Sequence, residues 1–179
     1  MQRLVEDMAT PHLGRVSLVI SNTATASGLN KAKAMGVKTE LIDRHSYQVD
    51  LRNFDETLHE CLLAYDIDII CLAGFMRVLG KKFVRAWEGR ILNIHPSLLP
   101  KFKGLNTHQR AIDAGDVLAG CSVHEVAAEL DAGRILSQAS VSILRDDTAV
   151  SLAARVLELE HKLYPVTLRS FLTQKTSRN

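Results

Sequence analysis

Asn93 and His95 stand two residues apart in the run Leu92-Asn93-Ile94-His95-Pro96-Ser97. Apolar Ile91, Leu92 and Ile94 around them predict a strand over 90–95. Residues two apart on a strand point to the same side. Pro96 ends regular pairing, which places both side chains near the C-terminal end of that strand, the end where open parallel sheets bind ligands. A carboxamide N–H and an imidazole converging there can donate two hydrogen bonds to one oxygen, the task of an oxyanion stabiliser. Polar residues at strand ends also serve simply as partners for loop backbone, so this local pattern leaves both readings open.

The other reactive side chains make no comparable constellation. The chain has seven histidines and three cysteines. His108 opens a predicted helix and His124 lies on a predicted strand, where structural support is the expected role. His12, His45, His59 and His161 lack partners in sequence, and no HExxH spacing joins any of them. Cys61, Cys71 and Cys121 cannot all pair and none stands in a CxxC arrangement, so a disulfide scaffold or zinc site is not expected and a reduced, cytoplasmic setting fits best. No GxGxxG or GxxxxGK[ST] run occurs, which removes sequence support for dinucleotide or P-loop binding.

The elements around Asn93 and His95 alternate between β-rich and helical patterns, the α/β signature. Strands are predicted over 15–21, 37–42, 67–73, 90–95, 118–126 and 134–144. The run 67–73 is the most hydrophobic and is expected to be a central strand buried on both faces. Helices are predicted over 1–8, 27–34 with Ser27 as N-cap, 53–65, 81–87, 107–114 and 148–173, the last interrupted or kinked near Pro165. No repeat or linker divides the chain, so 1–179 reads as a single domain.

Composition narrows the class of function. Hydrophobic residues at 46% and charged residues at 23% are those of an ordinary globular domain. Lys and Arg total 22 against 20 Asp and Glu, a balance too even for a nucleic-acid surface. The apolar run 67–76 is interrupted by Asp68 and is far shorter than a membrane span. Glu6 and Asp7 stand where a signal peptide would need an apolar stretch. A soluble enzyme or small-molecule binder is the expectation, with no nucleic-acid or membrane partner.

Four blocks, in order, resemble the folate-dependent formyltransferase family, and within it the branch acting on glycinamide ribonucleotide (GAR). They are Leu72-Ala73-Gly74-Phe75-Met76-Arg77, Asn93-Ile94-His95 within the run ending at Pro100, Gly104-Leu105-Asn106-Thr107-His108, and Glu129-Leu130-Asp131-Ala132-Gly133. The resemblance implies a doubly wound, Rossmann-like, mostly parallel sheet, and transfer of a formyl group from the co-substrate 10-formyltetrahydrofolate to the amine of GAR in purine biosynthesis. It requires no metal.

By the same resemblance Asn93, His95 and Asp131 are the catalytic residues: Asn93 and protonated His95 stabilise the oxyanion, and Asp131 favours the cationic imidazole and assists proton transfer. Folate contacts fall on Arg52, Met76, Arg77, Val78, Leu79 and Asn93, the Arg52 assignment competing with a solvated loop charge. Glu160 matches a glutamate that contacts the ribose of GAR, and His108 and His124 match histidines that support the site. The partners implied are these small molecules, and a homodimer is compatible with the family.

The match departs from the family pattern at two places. Met1-Gln2-Arg3-Leu4 aligns with the helix that follows the family's first strand and phosphate-cradling loop. About a dozen residues, one strand and its turn, are therefore expected to be absent, giving an N-terminally shortened domain with weakened GAR binding. Asn106 stands where many members carry histidine. The alternatives are a 10-formyltetrahydrofolate hydrolase and a non-catalytic folate-binding protein. A formyltransferase acting on methionyl-tRNA is disfavoured, since it needs a further domain and a basic surface.

Overall fold

The computed structural model of the chain describes residues 1–43 and 51–177, with side chains of the second segment described from Phe54 onward. Helices and strands alternate from α1 (Gln2–Met8) through β1 (Val19–Ser21), α2 (Ser27–Ala34), β2 (Thr39–Leu41), α3 (Leu51–Ala64), β3 (Ile70–Leu72) and α4 (Lys81–Ala86). The second half runs β4 (Ile91–His95), α5 (Thr107–Asp113), β5 (Leu118–Glu125), β6 (Ile135–Ser142) and α6 (Ala149–Thr176). Every predicted element is present, with strands shorter than their apolar runs.

The strands form two ladders. β1 pairs with β2 in parallel, and the second ladder has the order β3-β4-β5-β6. Within it β3 and β4 are parallel, while β4–β5 and β5–β6 are antiparallel. The helix-connected pairs β1–β2 and β3–β4 are therefore parallel, and β5 and β6 extend the second as an antiparallel flank. Among the described residues β1 and β3 each leave one edge without a ladder partner.

That open edge explains one difference from the sequence reading. The 67–73 run is a three-residue strand, Ile70–Leu72, whose residues are only partly buried. The most deeply buried strand is β5, where Ala119, Cys121, Ser122, Val123 and His124 are all buried. β5 is paired on both edges and covered on one face by α6, which lays Leu152 and Val156 against Ala119 and Cys121. A second cluster joins Leu92 and Val123 to Tyr164, Leu168 and Phe171 of α6 and Leu4 of α1. The third surrounds Trp87, with Phe54, Leu58 and Leu62 of α3 and Phe83 of α4.

Two helices also differ. The N-cap of α2 is Ala26, with Ser27 the first helical residue and no side-chain cap. α6 runs unbroken for 28 residues through Pro165. A proline inside a helix costs about 3 kcal/mol in lost hydrogen bonding and steric clash. Here Tyr164, Pro165, Thr167, Leu168 and Phe171 are all buried, and that packing holds the helix together. α6 starts with a reciprocal cap, Ser151 N–H donating to Thr148 Oγ1 and Thr148 N–H to Ser151 Oγ. Near its other end Arg169 clamps α1: its Nε and Nη2 donate to the Asp7 carboxylate at 2.8 and 3.0 Å, and Nη1 donates to the Pro11 carbonyl.

Candidate active site

The β4–β5 register places Asn93 directly opposite His124 and His95 opposite Ser122. Leu72 of β3 lies beside Asn93 on the other edge. The apolar residues Leu92, Ile94 and Val123 turn into the core, which leaves Asn93, His95 and His124 to form a polar cluster near the end of β4. Asp131 closes it from the loop after β5. Its backbone is left-handed, φ +47°, a region open to Asp and Asn more than to most side chains. Gly133 holds that loop against β5: a Cβ there would meet the Glu125 carbonyl oxygen at 1.8 Å. Across the cluster Gly104, φ +79°, turns its N–H toward Asp131 Oδ2 at 2.9 Å.

The side chains of His95 and Asp131 are each 8% exposed, with His95 Nδ1 3.4 Å from Asp131 Oδ2. His95 Nε2 donates to the Phe102 carbonyl at 3.0 Å. Both ring nitrogens therefore face oxygen acceptors, and a substrate oxygen that takes a hydrogen bond from Nε2–H must share it with Phe102. Asn93 differs: its Nδ2 has one partner, His124 Nε2 at 3.2 Å, and an amide nitrogen carries a second hydrogen. The His124 ring also approaches Asp131 Oδ1 at 3.7 Å and stands edge-on to the His95 ring, centroids 6.5 Å apart. Burial pushes the His124 imidazole below its ordinary pKa; the neighbouring Glu125 carbonyl and Asp131 act against that shift, and His95 adds to it.

A sulfur-free polar clamp fixes the turn that follows His95. Ser122 Oγ donates to the Ser97 carbonyl at 2.6 Å and accepts from Leu99 N–H at 3.0 Å. Gln138 Nε2 on β6 donates to both Ser122 Oγ and the Leu99 carbonyl, at 2.8 and 2.9 Å. Neither Ser122 nor Gln138 is singled out by the sequence, although a serine flanked by Cys121 and Val123 is a signal for a buried partner. Beyond this turn is a cavity of about 370 Å³ lined by Pro96, Leu98, Phe102 and His108 among others. His108 Nδ1 is buried there without a hydrogen-bond partner, and burial, then the nearby His95, lowers its pKa.

Among the described residues, the others singled out from the sequence make no hydrogen bond or ion pair with Asn93, His95 or Asp131. Met76 and Val78 are exposed at 77% and 67% while Leu79 is buried in the Trp87 cluster, so any ligand contact of Leu79 must use its backbone. The Arg77 guanidinium stacks over the Phe54 ring, 4.1 Å from its centroid. The side chain of Arg52 and the whole of His45 lie outside the described residues. Glu160, on α6, is half-buried, and desolvation pushes its carboxyl up to about 7, the α-amino group of Met1 drawing it partly back. Burial likewise pushes Cys71 up to about 11 and Cys121 up to about 12, which keeps both thiols protonated and unreactive near neutrality. Among the described residues no group of three or more His, Cys, Asp or Glu is placed to hold a metal ion. No helix of the described residues is long and apolar enough to cross a membrane.

Comparison with known proteins matches the chain to the family described as formyl transferase over residues 1–168. The chain is 40% identical over 172 residues to the phosphoribosylglycinamide formyltransferase of Escherichia coli, covering 96% of this chain and 81% of that protein. It is 45% identical over 170 residues to the bovine trifunctional purine biosynthetic protein adenosine-3, covering 94% of this chain but only 17% of the bovine protein's length. The crystal structure of phosphoribosylglycinamide formyltransferase from Brucella melitensis superposes with a TM-score of 0.91 at 47% identity, covering 96% of this chain and 88% of that one. The fold is accordingly the α/β, Rossmann-like fold of those enzymes, and this chain belongs to the formyl transferase family.

Proposed function

We propose that the chain transfers the formyl group of 10-formyltetrahydrofolate to the primary amine of glycinamide ribonucleotide, a step of purine biosynthesis. The observation that carries this reading is the convergence of Asn93, His95 and Asp131 in a desolvated cluster. The amine attacks the formyl carbon and the carbonyl oxygen becomes a tetrahedral oxyanion. The second N–H of Asn93 Nδ2 and the His95 Nε2–H donate to that oxygen, each such donor being typically worth about 3 kcal/mol in the transition state. Asp131 takes the proton lost by the amine, directly or through one water. Collapse of the oxyanion breaks the bond to the folate nitrogen and releases tetrahydrofolate, the leaving nitrogen recovering a proton.

In this reading the backbone of residues 76–79 binds the pterin, the loop over 126–131 covers it, and Arg52 and Arg77 face the folate's carboxylates. Glu160 contacts the ribose of GAR. A cytoplasmic setting and a homodimer belong to the same reading, the latter checked by sedimentation velocity.

The test is folate release from 10-formyltetrahydrofolate, followed by absorbance, with GAR and with water alone. Release that requires GAR supports the transferase. Equal release in both arms makes the chain a hydrolase, and folate binding without release makes it a binding protein.

A further inference from the structure

A carboxamide can stabilise an oxyanion only with its nitrogen end, because its oxygen end would repel the same charge. The two ends have nearly the same shape, so something must select between them at Asn93. The cross-strand partner supplies the selection. His124 Nδ1 faces the backbone carbonyl of Glu125 at 2.9 Å. A carbonyl accepts and never donates, so Nδ1 carries the hydrogen. A neutral imidazole has one N–H, which leaves Nε2 as a bare lone pair. That lone pair lies 3.2 Å from Asn93 Nδ2, and only the NH₂ end of the amide can satisfy it.

We propose that His124 is a positioning residue: locked as its Nδ1–H tautomer, it turns the Asn93 carboxamide so that the second amide hydrogen points at the reacting oxygen. The surroundings keep the lock closed. The His124 side chain is 2% exposed, so water cannot replace the amide as donor. β5 is hydrogen-bonded on both edges, which fixes the height of the ring against Asn93. Three groups bear on the ring's charge. Asp131 and the Glu125 carbonyl favour the cation, while burial, helped by His95, disfavours it and prevails. A cationic ring would carry hydrogen on both nitrogens. Nε2 would then repel the Asn93 NH₂ and turn the amide oxygen toward the substrate.

The consequence for rate rests on the formyl-transfer reading, but the tautomer does not, and the test separates them. Long-range ¹H–¹⁵N correlation spectra of the ¹⁵N-labelled full chain, without substrates, report the state of each imidazole directly. At pH 7 His124 is expected to show a protonated Nδ1 and a pyridine-like Nε2. A protonated Nε2, in either the other tautomer or the cation, overturns the proposal. In the formyl-transfer assay His124→Leu, which removes the acceptor, is expected to lower kcat about 10²-fold with folate affinity little changed. His124→Gln, whose side-chain oxygen reaches about as far as Nε2, is expected to restore most of the rate. His124→Asn reaches only as far as Nδ1 and is expected to stay slow. Wild-type kcat in His124→Leu, or equal rates for the Gln and Asn variants, overturns the proposal. If His124→Leu does not fold, the wild-type spectra and the Gln–Asn pair still decide. A wild-type chain that transfers no formyl group removes the functional reading and leaves the tautomer to the spectra.

Discussion

The β4–β5 pair and the β1–β2 pair are both short ladders of mostly β-branched and apolar residues, yet they differ in what they can hold. β5 is flanked by strands on both edges and covered by α6, and its buried run includes Ser122 at 0% exposure and His124 at 2%. The β1–β2 ladder has three residue pairs, Val19↔Thr39, Ile20↔Glu40 and Ser21↔Leu41, and none of these residues is fully buried. The lesson concerns polar chemistry. A serine or histidine can be kept dry and fixed only where neighbouring strands already satisfy the backbone and that side chain has its own hydrogen-bond partners. β4–β5 meets that condition and carries the reactive cluster; β1–β2 does not, and serves as support.

The sharpest break of this comparison is chemical. Asp131→Asn keeps the shape of the loop but removes the proton acceptor, and is expected to lower kcat about 10³-fold with folate binding retained, measured by turnover beside fluorescence titration. Next comes packing. Val123→Ala, at a fully buried side chain of β5, is expected to cost about 2 to 3 kcal/mol in urea unfolding, against about 1 kcal/mol for the same deletion, Val19→Ala, in the half-buried β1. Equal costs would mean that the two ladders are equally embedded.

Smaller effects sharpen the contrast at the margins. Glu160 ionises freely in the unfolded chain near its ordinary 4.5 but only near 7 when folded. The folded state therefore binds the extra proton between those values, and stability declines as pH rises from about 4.5 to about 7 and stays reduced above. Glu160→Gln is expected to raise unfolding stability at pH 8 by about 1 to 2 kcal/mol after allowance for its partial exposure, with the gain shrinking at pH 5. On β2, Tyr65 Oη donates to Glu40 Oε1 at 2.7 Å. Tyr65→Phe is expected to leave the urea unfolding midpoint almost unchanged, because water can serve an accessible carboxylate.

The legible and illegible parts of the molecule divide along the same line. Asn93 and His95 could be paired from spacing alone because a strand's period of two is a local property. The His124 contact could not, since it depends on a register between strands 31 residues apart in sequence. The Ser122–Gln138 clamp is hidden for the same reason. The stacking of the Arg77 guanidinium on Phe54 is likewise beyond local reading, since only tertiary neighbours determine it. Of the interruption or kink expected near Pro165, the interruption does not occur, because packing against α1 and the sheet outweighs a local helix penalty. The burial expected for 67–73 failed because hydrophobicity reports what a strand could bury and not how many neighbours it has.

The left-handed backbone at Asp131 limits how this site can change over generations. Asparagine and aspartate tolerate that conformation, whereas alanine or glutamate would add about 1 to 2 kcal/mol of backbone strain. A single replacement at 131 thus either removes the charge or bends the loop that Gly133 and Gly104 hold. Gradual retuning of the carboxylate's reach is closed to point mutation, and sequence drift at this position is expected to pass through asparagine or stop.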